Sequence, residues 1–335
     1  MGGSIRPRPA FPLHLRWVSE ERPGAVWTAL FERTWPAYRK WFEKEGDDRR
    51  PQLESCRAEL ERHMPELVPI WERLVELAGA EEKAARMLSL YRPTPYITGC
   101  SQAVWSRGEP LLVRNYDYHP DCFEGTFLHS AWSGTHTLVA SDCLWGVLDG
   151  LNEYGLVVSL AFGGRRDVGD GFGIPLILRY VLETCRTVSE AAAVLERVPS
   201  HMSYNVSLLD TAGDRVVVAV APDRSTSVTR GDIATNHQRG VEWSRYDRFT
   251  RSSEREEYLA GLLADPELSA EAFARRFLRA PLYNTRYDRA FGTLYTAVYR
   301  PARGGAEYLW PAAGVEQSLG SFVPQELVVR LGARR

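Results

Sequence analysis

Apolar positions in the first 99 residues recur with the period of an α-helix. One stripe covers residues 27–42 and another covers residues 60–77, with apolar side chains three or four positions apart. The sequence Arg-Pro-Thr-Pro at 92–95 then breaks the helical pattern. We therefore predict a helical segment over residues 1–99.

From residue 100 onward, short apolar runs alternate with turns rich in glycine, proline and asparagine, a pattern typical of β-strands. The predicted strands cover 101–105, 111–116, 137–141, 145–148, 156–162, 204–210, 215–221, 293–299 and 307–310, and the predicted helices cover 175–185, 189–197, 242–263 and 269–279. Strands followed by helices and again by strands predict an α+β protein built from packed layers. Residues 100–335 form the second unit of this division.

Charge and composition restrict the partners. The chain has 335 residues and a net charge of −2, with acidic and basic residues interspersed, which argues against nucleic acid or an anionic membrane as the main partner. It has no apolar run long enough for a signal peptide or a membrane span. Five cysteines without a CxxC spacing fit a reducing compartment, so we predict a cytoplasmic protein. A homo-oligomer is left open.

Several kinds of catalytic site are disfavoured by what the sequence lacks. All lysines precede residue 100, so no Schiff base or phosphate-loop lysine lies in the second unit. The sequence contains neither a GxSxG nor an HExxH motif, which disfavours a serine esterase and a zinc hydrolase. We predict no cofactor and no metal.

Cys100 follows Gly99 at the start of the first predicted strand. If the chain is cut between them, the new α-amine, with a reference pKa of about 7.7–8.0, can accept the thiol proton of the same residue. The thiol itself can make the cut by attacking the Gly99 carbonyl, since glycine reaches strained conformations easily. We predict cleavage at this bond, with residues 1–99 as a pro-segment that becomes a partner of the rest. The alternative is a small buried apolar cysteine.

Other polar residues are candidates to support this cysteine. Asp117 can hold the new ammonium, and Arg114 can orient that carboxylate or favour the thiolate; the alternative is a surface ion pair. Acyl transfer also needs donors for a tetrahedral oxyanion, and the amides of Asn152 and Asn205 are candidates. Their alternatives are a turn-forming residue and an edge-strand side chain.

The ordered set of motifs resembles the penicillin (isopenicillin-N) acyltransferase family of self-processing N-terminal-nucleophile (Ntn) hydrolases, and more distantly the choloylglycine (bile salt) hydrolases. The matching pieces are Gly99-Cys100, 114–117, 149–156, Asn205 ahead of 208–213, 235–237 and 244–246. The resemblance implies a four-layer αββα sandwich of two antiparallel sheets with the helical pro-segment in front.

For the site, the resemblance implies Cys100 as nucleophile, with Arg114 and Asp117 around its amine and thiol, and Asn152 and Asn205 at the oxyanion. It also implies that Arg245 lies near the scissile amide, with Arg248 as the alternative equivalent. A further prediction is that Asn236 and His237 position the substrate; the alternative for His237 is a structural histidine.

Together these observations predict a self-cleaving hydrolase or acyltransferase that acts on a small N-acyl amine or acyl thioester through a Cys100 thioester. Two alternatives stay open. One is a catalytically silent protein of the same fold that binds a ligand. The other is a hydrolase that remains uncut and uses another base.

Overall fold

We describe the protein from a computed structural model, which covers residues 11–289 and 291–332. The helices are α1 (Ala25–Phe42), α2 (Leu53–His63), α3 (Val68–Leu77), α4 (Glu82–Leu88), α5 (Ile174–Thr184), α6 (Val188–Arg197), α7 (Ser244–Thr250), α8 (Ser252–Ala264) and α9 (Ala270–Arg276). The strands are β1 (Phe11–Glu20), β2 (Gly99–Trp105), β3 (Leu111–Tyr118), β4 (Thr126–Ser130), β5 (Thr137–Asp142), β6 (Gly146–Asn152), β7 (Val157–Phe162), β8 (Tyr204–Leu209), β9 (Arg215–Val220), β10 (Ser227–Thr229), β11 (Ile233–Ala234), β12 (Thr285–Arg286), β13 (Phe291–Arg300), β14 (Gly305–Trp310), β15 (Ala313–Ser318) and β16 (Gln325–Leu331).

The strands form two sheets within these residues. One has the order β10-β9-β8-β7-β6-β5-β4-β1-β16, and the other has the order β11-β2-β3-β13-β14-β15, with β12 paired to β13. Neighbouring strands are antiparallel except for β1 and β4, which run parallel. The prediction of two antiparallel sheets is thus wrong at this one pair, where β1 from the first unit joins the larger sheet.

Helices cover the outer faces of the two sheets. Helices α5 and α6 pack on the larger sheet, α1 packs on β1, and α8 packs on β2. The two faces of β2 belong to different cores: Val104 faces the large core between the sheets, whereas Ala103 and Trp105 face a smaller core with Phe273 of α9. This is the αββα layering expected from the sequence.

The first unit is helical only in part. Helices α1 to α4 agree with the predicted stripes, but residues 11–20 form β1, so the prediction of a wholly helical segment is wrong there. In β1, Trp17 is buried and stacks on Phe127 of β4, with ring centroids 4.7 Å apart. Residues 1–10 of that prediction lie outside the described residues. None of the helices between residues 11 and 332, position 290 aside, is both long and apolar enough to cross a membrane.

Candidate active site

Cys100 is the second residue of β2 and is fully buried. In the register of β2 and β3, Cys100 lies opposite Tyr116, and Gly99 lies opposite Asp117. Because successive side chains of a strand point to opposite faces, the Cys100 thiol faces the core between the sheets, and Asp117 faces the helical layer. The chain is continuous here, and Gly99 and Cys100 are adjacent strand residues.

Arg114 of β3 reaches the thiol from the same face. Its Nη2 lies 3.3 Å from Cys100 Sγ. Its Nη1 donates to Asp149 of β6, and the hydroxyl groups of Tyr295 and Tyr299 donate to the same carboxylate. Burial lowers the pKa of Arg114, but negative charge at Cys100 and Tyr295 outweighs it, so the pKa lies above its ordinary value. Arg114 therefore stays cationic beside the thiol.

The backbone nitrogen of Cys100 has a side-chain partner. It donates to Oδ1 of Asn236, 3.0 Å away. The same Oδ1 accepts from Nη2 of Arg255 at 2.7 Å, and Nη1 of Arg255 bonds the carbonyl of Cys100 at 2.8 Å. Asn236 and Arg255 thus hold both ends of the Cys100 backbone.

Asp117 contributes from the other face of the sheet. Its Oδ2 lies 3.4 Å from Nη1 of Arg255, and its Oδ1 accepts from the Thr293 hydroxyl at 2.6 Å. Burial raises the pKa of Asp117 above its ordinary value, although Arg255, Thr293 and Arg114 act in the opposite direction. The hydrogen-bond partner of the Cys100 nitrogen is Asn236, which Asp117 reaches only through Arg255. That Asp117 holds a new ammonium stays a prediction.

The two predicted oxyanion amides are used elsewhere in the structure. Both amide hydrogens of Asn152 are donated to carbonyls at the end of α5, Leu182 and Cys185, and its Oδ1 accepts two backbone N–H groups of its own turn. Both amide hydrogens of Asn205 are donated to the carbonyls of Thr235 and His237. Asn152 thus forms the turn, which was its alternative, and Asn205 supports the segment that carries Asn236.

The residues predicted to bind the substrate also make other contacts or lie on the surface. Asn236 contacts the backbone of Cys100 rather than open space. The ring of His237 bonds Ser252 at 2.8 Å and Glu256 at 2.9 Å, which agrees with its structural alternative. Arg245 lies in the first turn of α7 and its alternative, Arg248, lies in the last turn; both are exposed. The arginine at the site is instead Arg255 of α8, because its face of the helix packs against β2.

Two further residues carry signals that the sequence reasoning missed. Arg255 lies on the buried face of α8 between Ser252 and Leu259, a helical spacing that marks a buried arginine. Asp149 is an acid within the fully buried strand β6, and a buried carboxylate requires a partner. Among the described residues, no three His, Cys, Asp or Glu side chains are arranged to hold a metal ion.

This geometry can be compared with known proteins. The sequence model of the family described as "Acyl-coenzyme A:6-aminopenicillanic acid acyl-transferase" matches residues 105–314, more than half of the chain. The chain belongs to this acyl-transferase family. The matched range begins five residues after Cys100 and includes Arg114, Asp117 and Asn236. No curated protein matches the chain.

A solved structure supports the same fold. Penicillin V acylase from Agrobacterium tumefaciens is 17% identical with a TM-score of 0.50, covering 66% of this chain and 86% of the other. An N-acylethanolamine-hydrolyzing acid amidase ortholog from Caenorhabditis elegans is also 17% identical, with a TM-score of 0.48, covering 69% of this chain and 99% of the other. The recognised family, the layered α+β fold and the prediction of an amidohydrolase or N-acyltransferase are thereby confirmed.

Proposed function

We propose that the protein is a self-cleaving cysteine hydrolase or acyltransferase, in which Cys100 forms a thioester with the acyl group of a small N-acyl amine or acyl thioester. The observation that carries the proposal is the position of Cys100 between two polar partners. Arg114 lies 3.3 Å from its thiol, and Asn236 lies 3.0 Å from its backbone nitrogen. A structural core cysteine requires neither contact.

Self-cleavage begins when Sγ of Cys100 attacks the carbonyl carbon of Gly99. The C–N bond breaks, the nitrogen of Cys100 takes a proton and becomes an α-amine, and Gly99 becomes a thioester on Sγ. Water then hydrolyses the thioester, which frees the thiol and leaves Gly99 as a carboxylate. The amine remains beside Asn236 and Arg255, where burial and the arginine charge favour its unprotonated form.

Turnover uses the same atoms on an external substrate. The α-amine takes the thiol proton, Arg114 stabilises the thiolate, and Sγ attacks the acyl carbon. The leaving amine or thiol receives the proton from the α-ammonium, and water or an acceptor amine then removes the acyl group. Asp117 acts through Arg255 and is a positioning residue in this scheme.

The 1–99 segment remains bound after cleavage in this proposal. Its strand β1 lies between β4 and β16 of the larger sheet, and Trp27 and Trp71 are buried. Removing this segment would expose apolar surface to water, which costs a free energy of about 25 cal/mol per Å². We place the protein in the cytoplasm, since its five cysteines are all free.

The first test is the mass and amino-terminal sequence of the purified protein. We expect two polypeptides that co-elute in gel filtration, one of which begins at Cys100. Cys100→Ala should stay uncut and inactive, whereas the matched control Cys185→Ala, another buried free cysteine, should be cut and active. Turnover of N-acyl amines by a wholly uncut protein would contradict the self-cleavage, and a cut protein without any turnover would contradict the enzyme.

A further inference from the structure

A cavity of about 350 Å³ opens beside the candidate active site. Aromatic side chains form much of its wall: Tyr38 and Trp41 from α1, Tyr96 from the segment before β2, Tyr118 at the end of β3, and Phe123. Three carboxylic acids also line it: Glu124 and Asp142, which are buried, and Asp121, which is exposed. An aromatic wall that contains buried acids is unusual for a pocket that binds only apolar groups.

The cavity adjoins the nucleophile through β3. The ring of Tyr116 contacts both Tyr118 and Phe123 of the cavity wall, with centroid distances of 6.0 and 5.7 Å. The Arg114 guanidinium lies over the Tyr116 ring, 4.8 Å from its centroid. The same guanidinium contacts the Cys100 thiol. The Tyr116 side chain thus lies between the cavity wall and the arginine that contacts the thiol.

The two buried acids, Glu124 and Asp142, share a single hydroxyl group. Oη of Tyr38 lies 2.5 Å from Oε1 of Glu124 and 3.1 Å from Oδ1 of Asp142, and it accepts the backbone N–H of Cys143. A tyrosine hydroxyl has one hydrogen, so it can donate to only one of the two acids at a time. Oε2 of Glu124 is buried and has no hydrogen-bond partner among the described residues.

No basic side chain of the described residues forms an ion pair with either acid. Arg33 of α1 lines the same cavity and acts on Glu124 only at longer range, and Arg114 acts on Asp142 in the same way. Burial, and for Asp142 the charge of Glu124 next, raises the pKa of both acids. The phenol and thiol groups at this place are neutral at pH 7 because burial raises their pKa as well; they belong to Tyr38, Tyr96, Tyr118, Cys122 and Cys143.

We propose that this cavity binds the positively charged amino group of the substrate, with Glu124 and Asp142 as its counter-ion and the aromatic rings around it. The inference rests on the proposed function and specifies its substrate class: an N-acyl compound that carries an additional ammonium group. The aromatic faces favour a cation electrostatically, and the unpartnered Oε2 of Glu124 gains a donor. A cation favours the ionised form of both acids, whose pKa burial raises, so binding should release a proton at a pH close to the pKa of the pair.

Binding is tested without catalysis in the uncut Cys100→Ala protein, by titration calorimetry with butylammonium and with butanol as its neutral analogue. We expect butylammonium to bind at least tenfold more tightly than butanol. Repeating the titration in two buffers of different ionisation enthalpy should show proton release. Asp142→Asn and Glu124→Gln should each remove the preference, and Asp48→Asn, the same charge change at an exposed residue outside the cavity, should retain it.

Turnover by the cut wild-type protein supplies the second measurement. N-Hexanoyl-1,4-diaminobutane and 6-aminohexanoyl butylamide carry the ammonium in the amine and acyl parts respectively, and N-hexanoyl butylamine lacks it. Asp142→Asn should lower kcat/KM at least tenfold for one charged amide and leave the neutral amide unchanged. Equal binding of butylammonium and butanol, or no measurable binding of butylammonium, would overturn the proposal. Since Cys100→Ala needs no turnover, that result is independent of whether Cys100 is the nucleophile.

Discussion

The Asn236 side chain joins the backbone of the candidate nucleophile to a buried arginine. Its Oδ1 accepts from the nitrogen of Cys100 and from Arg255, while its Nδ2 donates to the carbonyl of Phe162. Once the bond before Cys100 is cut, that nitrogen becomes the proposed general base. The charge of its acceptor then controls how readily the base is protonated.

Asn236→Asp should therefore move the pH dependence of turnover. A carboxylate keeps the two hydrogen bonds at Oδ1, loses the one that Nδ2 donates to the Phe162 carbonyl, and stabilises the α-ammonium. The acidic limb of kcat/KM should therefore shift upward by about one pH unit or more. At pH 7 we expect activity to fall about tenfold. The measurement is a pH profile on the fraction of protein that mass spectrometry shows to be cut at Cys100.

His237→Gln is the matched control for this change. It alters the neighbouring residue, whose ring contacts Ser252 and Glu256 and not Cys100. Its pH profile should coincide with that of the wild type. A profile of Asn236→Asp that also coincides with the wild type would exclude the α-amine as the base.

At this scale the sequence predicted some contacts and missed others for a physical reason. Cys100, Arg114 and Asp117 lie on two consecutive strands, so local spacing was enough to place them together. Arg255 and Asn236 are 155 and 136 positions from Cys100 along the chain. Which arginine after residue 240 turns inward depends on the packing of α8, and no local pattern distinguishes it from Arg245 except its apolar helical neighbours.

At the scale of elements, successive residues of β2 face different layers of the protein. Cys100 faces the core between the sheets, and Gly99 lies opposite Asp117, toward the helical layer. The strands around the site were predictable from their short apolar runs. The alternation of Leu13, Leu15 and Trp17 with polar residues also marked β1, but its parallel partner β4 begins more than 100 residues later, and no local signal fixes that pairing.

Gly99 in β2 is required by close packing. A Cβ at this position would lie 2.2 Å from Cζ of Phe291 and 3.2 Å from Cβ of Asp117. Because Phe291 is buried, Gly99→Ala must displace its ring, and we expect a stability cost of about 1–3 kcal/mol and slower cleavage before Cys100. The cut fraction over time, measured on a denaturing gel, checks this.

The double variant Gly99→Ala/Phe291→Leu tests the cause. A smaller side chain at position 291 makes room for the methyl group, so cleavage should return toward the wild-type rate. Gly240→Ala, where a Cβ meets no atom within 4 Å, should be cut normally. A single Gly99→Ala variant that is cut at the wild-type rate would show that the packing at this residue does not control the reaction.

At the scale of the whole molecule, the fold buries two carboxyl groups, and their burial lowers the free energy of unfolding. The acids Glu124 and Asp142 lie in the wall of a cavity between α1 and the strands, and no ion pair of the described residues compensates them. The sequence predicted the layered fold through its resemblance to a family, but it gave no sign of this pair, because α1 and the ends of β3 and β5 meet only in the assembled protein. Buried acids retained without a basic partner often serve binding rather than stability.

Stability as a function of pH tests this cost, and the sign follows from the raised pKa of Asp142. Above the pKa of the unfolded chain, about 3.9, the native protein binds more protons than the unfolded one, so stability falls as pH rises through the folded pKa. Asp142→Asn removes that loss and should be more stable at pH 7 by about 0.5–2 kcal/mol. The advantage should shrink as the pH is lowered toward 4.

Urea unfolding from pH 4 to pH 8 measures this difference. Both proteins should carry Cys100→Ala, since a cut protein unfolds with dissociation of two chains and does not follow a two-state transition. Asp48→Asn, at an exposed carboxylate outside the cavity, should match its parent at every pH. If Asp142→Asn is instead less stable at pH 7, the carboxylate of Asp142 is a structural partner of Tyr38 and not an uncompensated charge kept for a cation.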